Sequence, residues 1–316
     1  MDDKMGASLT IYVLSRDRPD MLRAALDSIL AQIDPHFELI VSDNSLGDAV
    51  ERMMCADYPA IHYVRRAPPL EALTHFKAIL QACSSDYVTL FHDDDIMEPD
   101  YVQRMRAALD MNARVGAVGC NAWVLRDDQP TRQTVMGRIS APVLITSGEA
   151  LARPYIGIRG ARPAPFPSYM YRREAVSGLF LDAASGGKYA DVAFLMKVQQ
   201  RLPILWLPNI LMSYRIHASN DSGAVDPVQQ MRLARYICNN TCIARHDRAM
   251  EEFRFLAYLS WWRSRRRGQG PRRRTHRIIL KYLLLKGPKL LLTSGEAWRR
   301  ALARIAPALR KRQPAW

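Results

Sequence analysis

The sequence predicts a doubly wound α/β fold built on a mostly parallel sheet, followed by a basic helical C-terminal region. Three observations carry that expectation. β-rich runs alternate with helical repeats from Leu9 to Gly119, acidic residues close two of those runs, and positive charge collects at one end of the chain.

The first run, Leu9 to Leu14, ends in polar Ser15-Arg16-Asp17-Arg18 and Pro19. Leu22, Leu26, Ile29 and Ile33, with Ala25 and Leu30 beside them, then recur at helical spacing. Phe37 to Ser42 is a second strand, stopped by Asp43-Asn44-Ser45, and Ile61 to Val64 a third. Leu73, Phe76, Leu80 and Cys83 mark a helix face before the fourth strand, Tyr87 to Phe91. Pro99 suits the first turn of the next helix, where its missing N–H costs nothing. Tyr101, Met105 and Leu109 continue that helix into a fifth strand, Val115 to Gly119. Strands and helices alternating at this length imply parallel pairing.

Residues 120–185 read as less regular, rich in Pro, Gly and Arg, and suited to substrate-shaping loops. Helical spacing returns at Val192, Leu195, Met196 and Gln199, and a strand pair is expected across Ile204–Leu207 and Ile210–His217. From Pro227 the pattern is helical, with breaks expected at Gly268–Pro271 and Gly287-Pro288. The organisation expected is a catalytic domain over 1–222 and a basic helical region over 223–316.

The chain has 316 residues, 48% of them hydrophobic, which is enough to bury a core and excludes disorder. Charge is uneven. From Trp261 to Trp316, 17 Lys and Arg face one acid, Glu296, a net of +16, whereas residues 1–260 carry 28 basic and 30 acidic side chains. The basic character therefore belongs to the tail, and the protein as a whole does not read as a nucleic-acid binder. The five cysteines lack the spacing of a zinc or redox site. Cys238 and Cys242 read as two core thiols on one helix face. Reduced thiols and a short polar start point to the cytoplasm.

In an open parallel sheet the ligand crevice lies outside the carboxyl ends of the strands. Asp43 follows the second strand and Asp93-Asp94-Asp95 the fourth, so the two clusters should converge there. Three adjacent carboxylates repel one another without a counter-charge. One reading is a divalent cation, Mg²⁺ or Mn²⁺, shared with substrate phosphates. The other is a solvated acidic turn capping the helix at Pro99.

The order of these segments is similar to that of the family 2 glycosyltransferases with the GT-A, Rossmann-like fold. Leu14-Ser-Arg-Asp-Arg-Pro19 resembles their first loop, and Val41-Ser-Asp-Asn-Ser45 their second-strand acidic motif. His92-Asp-Asp-Asp-Ile-Met-Glu-Pro-Asp100 resembles their Asp-X-Asp metal motif, and Tyr189-Ala-Asp191-Val192 their late acidic motif. Tyr214-Arg-Ile-His-Ala-Ser-Asn-Asp221 is similar to a Tyr-Arg-X-His loop in many members. The resemblance implies an inverting enzyme that moves a sugar from a nucleotide diphosphate onto a hydroxyl of a saccharide or lipid-linked acceptor, in work such as cell-envelope polysaccharide synthesis.

It also implies roles. Ser15, Arg16 and Asp43 would line the donor's base and ribose, with Asp93 beside the ribose. Asp94 would be the principal metal ligand, with Asp95 and His217 as further members of the metal set. Lys77 and Arg215 would reach the diphosphate, and Asp191 would be the general base. Asp43 alternatively reads as an Asx-turn residue, Asp191 as a helix N-terminal carboxylate, Lys77 as a solvated helix lysine and His217 as an ordinary hydrogen-bonded residue. The chain departs from the pattern at three places. Arg16 stands where a base-stacking Tyr is common, His92 where the first Asp of the metal motif is usual, and His75-Phe76-Lys77 where the family has Ala-Arg-Asn.

Basic clusters beside Trp, Leu and Tyr in 261–292 suit a helix lying on an anionic leaflet, here the inner face of the plasma membrane. The apolar runs are too short and too interrupted to span a bilayer. A polyanion site or an oligomer interface would fit the same residues. Two other functions compete with sugar transfer: a sugar-phosphate nucleotidyltransferase, although 15–19 lacks the glycines of its phosphate loop, and a catalytically silent nucleotide- or polyanion-binding module tethered to membranes.

Overall fold

Strand β1 (Leu9–Ser15) is buried along its whole length, so both of its faces need cover. Helix α1 (Pro19–Leu30) supplies part of it by burying Leu22, Ala25, Leu26 and Ile29, and Pro19 opens its first turn. Fully burying a Leu or Ile in this way stabilises the fold by about 1.5–3 kcal/mol. Ile33, expected to extend this face, lies beyond the helix end and is exposed.

The computed structural model describes residues 7–126, 128–157, 162–217, 226–264, 273–293, 295, 298–299 and 301–302. After α1 come β2 (Glu38–Asp43), α2 (Ala49–Asp57), β3 (His62–Arg65), α3 (Ala72–Ala82), β4 (Tyr87–His92), β5 (Ile96–Met97), α4 (Tyr101–Met111) and β6 (Ala117–Arg126). Then follow β7 (Gln129–Thr134), β8 (Val143–Ile145), α5 (Gly148–Ile156), β9 (Met170–Arg172), α6 (Arg173–Val176), α7 (Ala190–Arg201) and β10 (Ile204–Ile216). Helices α8 (Pro227–Asn240), α9 (Arg248–Ser264) and α10 (Arg273–Thr293) complete the described elements.

The ten strands form one sheet in the order β3-β2-β1-β4-β9-β6-β10-β5, with β7 on β6 and β8 on β10. The longer ladders are parallel, and the short strands β5, β7, β8 and β9 join antiparallel. Register brings the carboxyl ends of three strands together: Ser15 lies opposite Asp43, and Leu14 opposite His92.

Several expectations need correction. Residues 120–185 are more regular than their composition implies. β7 is a polar strand, Gln-Pro-Thr-Arg-Gln-Thr, whose pattern carries no apolar alternation, and β9 is too short to show any. The expected strand pair over 204–217 is one strand, β10, whose register shifts between Leu207 and Ile210. Pro208 at that point has no N–H to give the ladder. Helix α3 buries His75, Ile79 and Leu80, so only Leu80 of the expected face is part of it. Helix α4 starts after Pro99, at Tyr101.

The chain forms two compact units: Met1–Leu151 with Ala161–Leu181 and Phe194–Asn220, and Ala152–Gly160 with Asp182–Ala193 and Asp221–Trp316. In the second unit Asp226 caps α8 by accepting from the N–H groups of Val228 and Gln229. Helices α9 and α10 pack through Phe255, Leu256, Leu259 and Leu290. The expected break at Gly287-Pro288 is absent, because α10 runs through it. Gly287 instead lies flat against Phe255, where a Cβ would stand 3.0 Å from the ring. The break expected at Gly268–Pro271 lies outside the described residues. Cys238 and Cys242 are not a core pair: Cys238 is half-buried on α8, and Cys242 is exposed past the helix end. Among the described residues, no helix is long and apolar enough to cross a membrane.

Gly119 on β6 tests how tightly the sheet is covered. A Cβ there would stand 2.8 Å from the Tyr169 ring and 2.9 Å from the Ala164 Cβ. The Tyr169 hydroxyl is held by the Trp206 Nε1–H at 2.7 Å, so the ring has little room to yield. Gly119→Ala should cost about 1–3 kcal/mol, the usual range for overpacking, and lower the melting temperature by several degrees. Gly295→Ala, where a Cβ meets open space, should not lower it. Equal melting temperatures for the two variants would mean that the Tyr169 contact is soft.

Candidate active site

The loops after β1 and β2 are stitched together across the carboxyl edge of the sheet. The Asn44 N–H donates to the Ser15 carbonyl at 2.9 Å. The Asp17 N–H donates to Ser45 Oγ at 2.7 Å, and Asp17 Oδ1 accepts from the N–H groups of Leu46 and Gly47. Asp17 sits at φ 53°, a left-handed conformation that Asp tolerates better than most residues. The Asn44 amide in turn exchanges two hydrogen bonds with the backbone of Leu70.

Asp43 is fully buried in this network. Its Oδ1 accepts from the Ser45 N–H at 2.9 Å, an Asx turn, and from the Ser45 hydroxyl, while Oδ2 accepts from the Tyr63 hydroxyl at 2.6 Å. Burial and this contact with Asp43 hold the Tyr63 phenol well above its ordinary pKa. Beneath the loop, Ser42 Oγ is 2.7 Å from Nε2 of buried His75, whose imidazole burial lowers to about 4.

Three consecutive carboxylates then leave β4, each with a different partner. Asp93 is fully buried, bridged by Arg18 Nη2 at 2.5 Å and by the Arg16 N–H at 3.0 Å. Burial still outweighs Arg18, and its carboxyl is pushed up to about 6. Asp94 Oδ2 accepts from Arg18 Nη1 at 2.8 Å and lies 3.0 Å from His217 Nε2. Burial works against its charge, but His92, Arg18 and His217 prevail and hold its pKa below the ordinary value. Asp95 is fully buried, and only its Oδ1 is used, by the Arg215 N–H at 2.9 Å. Burial and the neighbouring Asp94 raise its carboxyl well above the ordinary range.

His92, Asp94 and Asp95 present ligand atoms within 4.8 Å of one another. His92 Nε2 and Asp95 Oδ2 are buried without a hydrogen-bond partner among the described residues. Burial lowers the His92 pKa, and Phe76 and Phe166 flank the ring at 6.1 and 6.2 Å between centroids. An imidazole nitrogen and a carboxylate oxygen, both lacking a partner among the described residues, fit a divalent cation.

The remaining expected residues are distributed as follows. Buried Ser15 ends β1, and Arg16 beside it is exposed. Lys77 lies over the Phe180 ring at 4.9 Å, a cation–π contact. The Arg215 guanidinium pairs with Asp128 at 2.7 Å. Residues 218–221 of the last motif lie outside the described residues. Asp191 belongs to the second unit and sits partly buried in the first turn of α7. Burial pushes its carboxyl up to about 6, against backbone hydrogen bonds from that turn.

Two residues of the candidate site escaped the sequence reading. Arg18 supplies much of the counter-charge that the sequence argument assigned to a metal. The signal was present, since an Arg directly before the helix-opening Pro19 must point from the same edge as the acids. His92 read as a departure from the metal motif, whereas its ring nitrogen belongs to the cluster that could hold the ion.

The model of Glycosyl transferase family 2 matches residues 10–174. A crystal structure of S. aureus TarS 1-349 in complex with UDP-GlcNAc is similar with a TM-score of 0.58 at 14% identity, covering 80% of this chain and 73% of that one. A second structure of TarS 1-349 gives 0.56 at 13%, covering 81% and 73%, and one of TarS gives 0.52 at 11%, covering 81% and 49%. At these identities the likeness is one of fold. A search of curated proteins finds no match.

Asp191 offers a test that needs no substrate. A carboxyl whose folded pKa is raised to about 6 costs stability when ionised. That cost begins as pH rises past the unfolded value and is complete above the folded one. Asp191→Asn should therefore raise the melting temperature by a few degrees near pH 8, with the gain vanishing as pH falls through 6 toward 4. Thermal scans across that range check it. A variant less stable than wild type near pH 8 would instead make the carboxylate a stabilising cap.

Proposed function

Because the chain belongs to glycosyl transferase family 2 and is a glycosyltransferase with the GT-A fold, we propose that it is an inverting enzyme with a metal-assisted donor site. In this reading it transfers a sugar from a nucleotide diphosphate to a hydroxyl of a saccharide or lipid-linked acceptor. The observation that carries it is the cluster of His92, Asp94 and Asp95 at the carboxyl edge of the sheet, with one imidazole nitrogen and one carboxylate oxygen left without partners. Family membership sets the nucleotidyltransferase alternative aside.

A divalent cation, Mn²⁺ or Mg²⁺, held by Asp94, Asp95 and His92 would act as a Lewis acid on the leaving diphosphate. His217 orients Asp94 in this scheme and is a further candidate ligand. Arg18, bound to Asp93 and Asp94, balances charge at the donor edge. Ser15 and Arg16 would contact the donor's nucleoside, from a loop that the turn at Asp43 keeps in shape. Arg16 is exposed, 3.9 Å from the Asp17 carboxylate, and could stack its guanidinium plane on a base. Lys77 and Arg215 are the cations proposed for the diphosphate, and each would have to exchange its present partner, Phe180 or Asp128. Asp191 takes the acceptor's proton. A carboxyl poised at about 6 is ionised at neutral pH yet basic enough to receive one.

Residues of α10 support attachment to an anionic membrane surface. Leu284, Leu285 and Leu292 are exposed, beside the basic residues of the tail. Leu290, by contrast, is spent on the contact with α9. Deleting the tail would strip that packing, so substitution is the cleaner test.

Release of nucleoside diphosphate from a panel of nucleotide sugars tests the donor reading. A UDP-sugar comes first, since the similar TarS structure holds UDP-GlcNAc. Asp94→Asn should abolish transfer and the cation-dependent thermal stabilisation by donor, because an amide cannot offset the ion's charge. Full wild-type activity in EDTA would sink the metal assignment. Asp191→Asn should keep donor binding while transfer falls roughly 10²–10⁴-fold, the usual worth of a positioned base. Collapse of donor affinity would make it a binding residue instead. For the membrane, Leu284→Ser with Leu285→Ser should weaken binding to anionic vesicles most at high salt, where apolar burial dominates. Unchanged sedimentation with vesicles would reject α10 as the anchor.

A further inference from the structure

We propose that a groove between α8 and α9 is a second anion site, separate from the donor site, that takes the phosphate group of an amphiphilic molecule. The groove encloses about 520 Å³ and is lined by Arg232, Arg235, Arg245, Arg254, Tyr258 and Trp261. Val228 and Met231 give it an apolar wall. A neighbouring hollow of about 230 Å³ shares Arg232 and Arg235, so both arginines face two open spaces.

Four acids of this unit are engaged elsewhere, and Asp182 accepts from the Ala184 N–H and the Ser185 hydroxyl. Asp226 caps α8, and Asp247 caps α9 and pairs with Arg153 at 3.3 Å. Glu251 pairs with Lys286 at 2.8 Å, and Glu252 with Arg248 at 3.3 Å. Among the described residues no carboxylate pairs with Arg232, Arg235, Arg245 or Arg254. The Arg254 guanidinium rests over the Tyr282 ring at 5.5 Å and donates to the Arg245 carbonyl.

Four guanidinium groups around one opening repel one another, and an anion entering it relieves that repulsion. Planar guanidinium forks match phosphate oxygens and favour a phosphate over a point-like anion. The volume exceeds what a phosphate needs and lies within the range of small-molecule pockets. Tyr258, Trp261 and the apolar wall suit the non-polar part of the same molecule.

Calorimetry of the full-length protein with sodium pyrophosphate in EDTA tests the site with cation-dependent donor binding switched off. Wild type should bind, and Arg232→Gln/Arg235→Gln should weaken binding by roughly tenfold or more, as loss of charged hydrogen bonds requires. Arg245→Gln, in the turn before α9, should weaken it in the same direction and serves if the double variant fails to fold. Arg277→Gln, an exposed cation on α10 and outside the groove, should leave pyrophosphate binding unchanged. A parallel arm with phosphatidic acid vesicles against phosphatidylcholine vesicles separates the sources. A defect confined to phosphatidic acid vesicles assigns the groove to a lipid headgroup, and a defect with pyrophosphate as well assigns it to phosphate as such. An equal loss of pyrophosphate binding in Arg277→Gln, or no loss with either probe in the groove variants, would overturn the proposal.

Discussion

Three consecutive carboxylates at the end of a buried strand are the constraint around which the first unit is arranged. Buried charges of one sign cannot persist side by side without partners. The structure answers by giving each a different neighbour: Arg18 for Asp93, Arg18 and His217 for Asp94, and a single backbone N–H for Asp95. Those partners come from the loop after β1 and from β10 and the residue following it, distant in sequence and joined only through the sheet. The parallel register of β2, β1 and β4 is thus as much a condition of the acidic cluster as of the hydrophobic core.

That dependence explains what could be read in advance. β1 to β4 were legible because each is a run of apolar residues between polar stops, and the crevice rule then placed Asp43 and Asp93–Asp95 on one edge. What escaped reading has other physical causes. β7 pairs through its backbone and carries a polar sequence, so no alternation announces it. α10 keeps Gly287 and Pro288 inside a helix because Gly287 lets Phe255 approach, a tertiary contact that local propensity cannot register. Arg18 was visible as a residue but not as a partner, since its role depends on which side chains the register sets opposite it.

The second unit shows a related limit of summed charge. Residues 1–260 are close to neutral in aggregate, yet Asp226, Asp247, Glu251 and Glu252 are all committed to caps or ion pairs. Cations left over from that pairing gather along α8 and α9, whatever the sum over the segment. Local pairing, not net charge, decides where an anion finds a site.

Asp93 and Asp191 bring the same physics to opposite ends. Burial pushes both carboxyls up to about 6. Asp93 is held by the Arg18 ion pair and a backbone N–H, so its proton affinity is opposed by a fixed charge and its position is set. For Asp191 the opposing interactions are backbone hydrogen bonds of the first turn of α7, and no cation figures among them. The two proton affinities are alike, but the ion pair with Arg18 fixes the Asp93 carboxyl in place. Asp191 is stabilised by helix-end dipoles instead, at some expense in stability. A half-buried acid with no cation against it among the described residues is a standing cost that folding alone gives no reason to bear, and proton transfer is a function that would repay it.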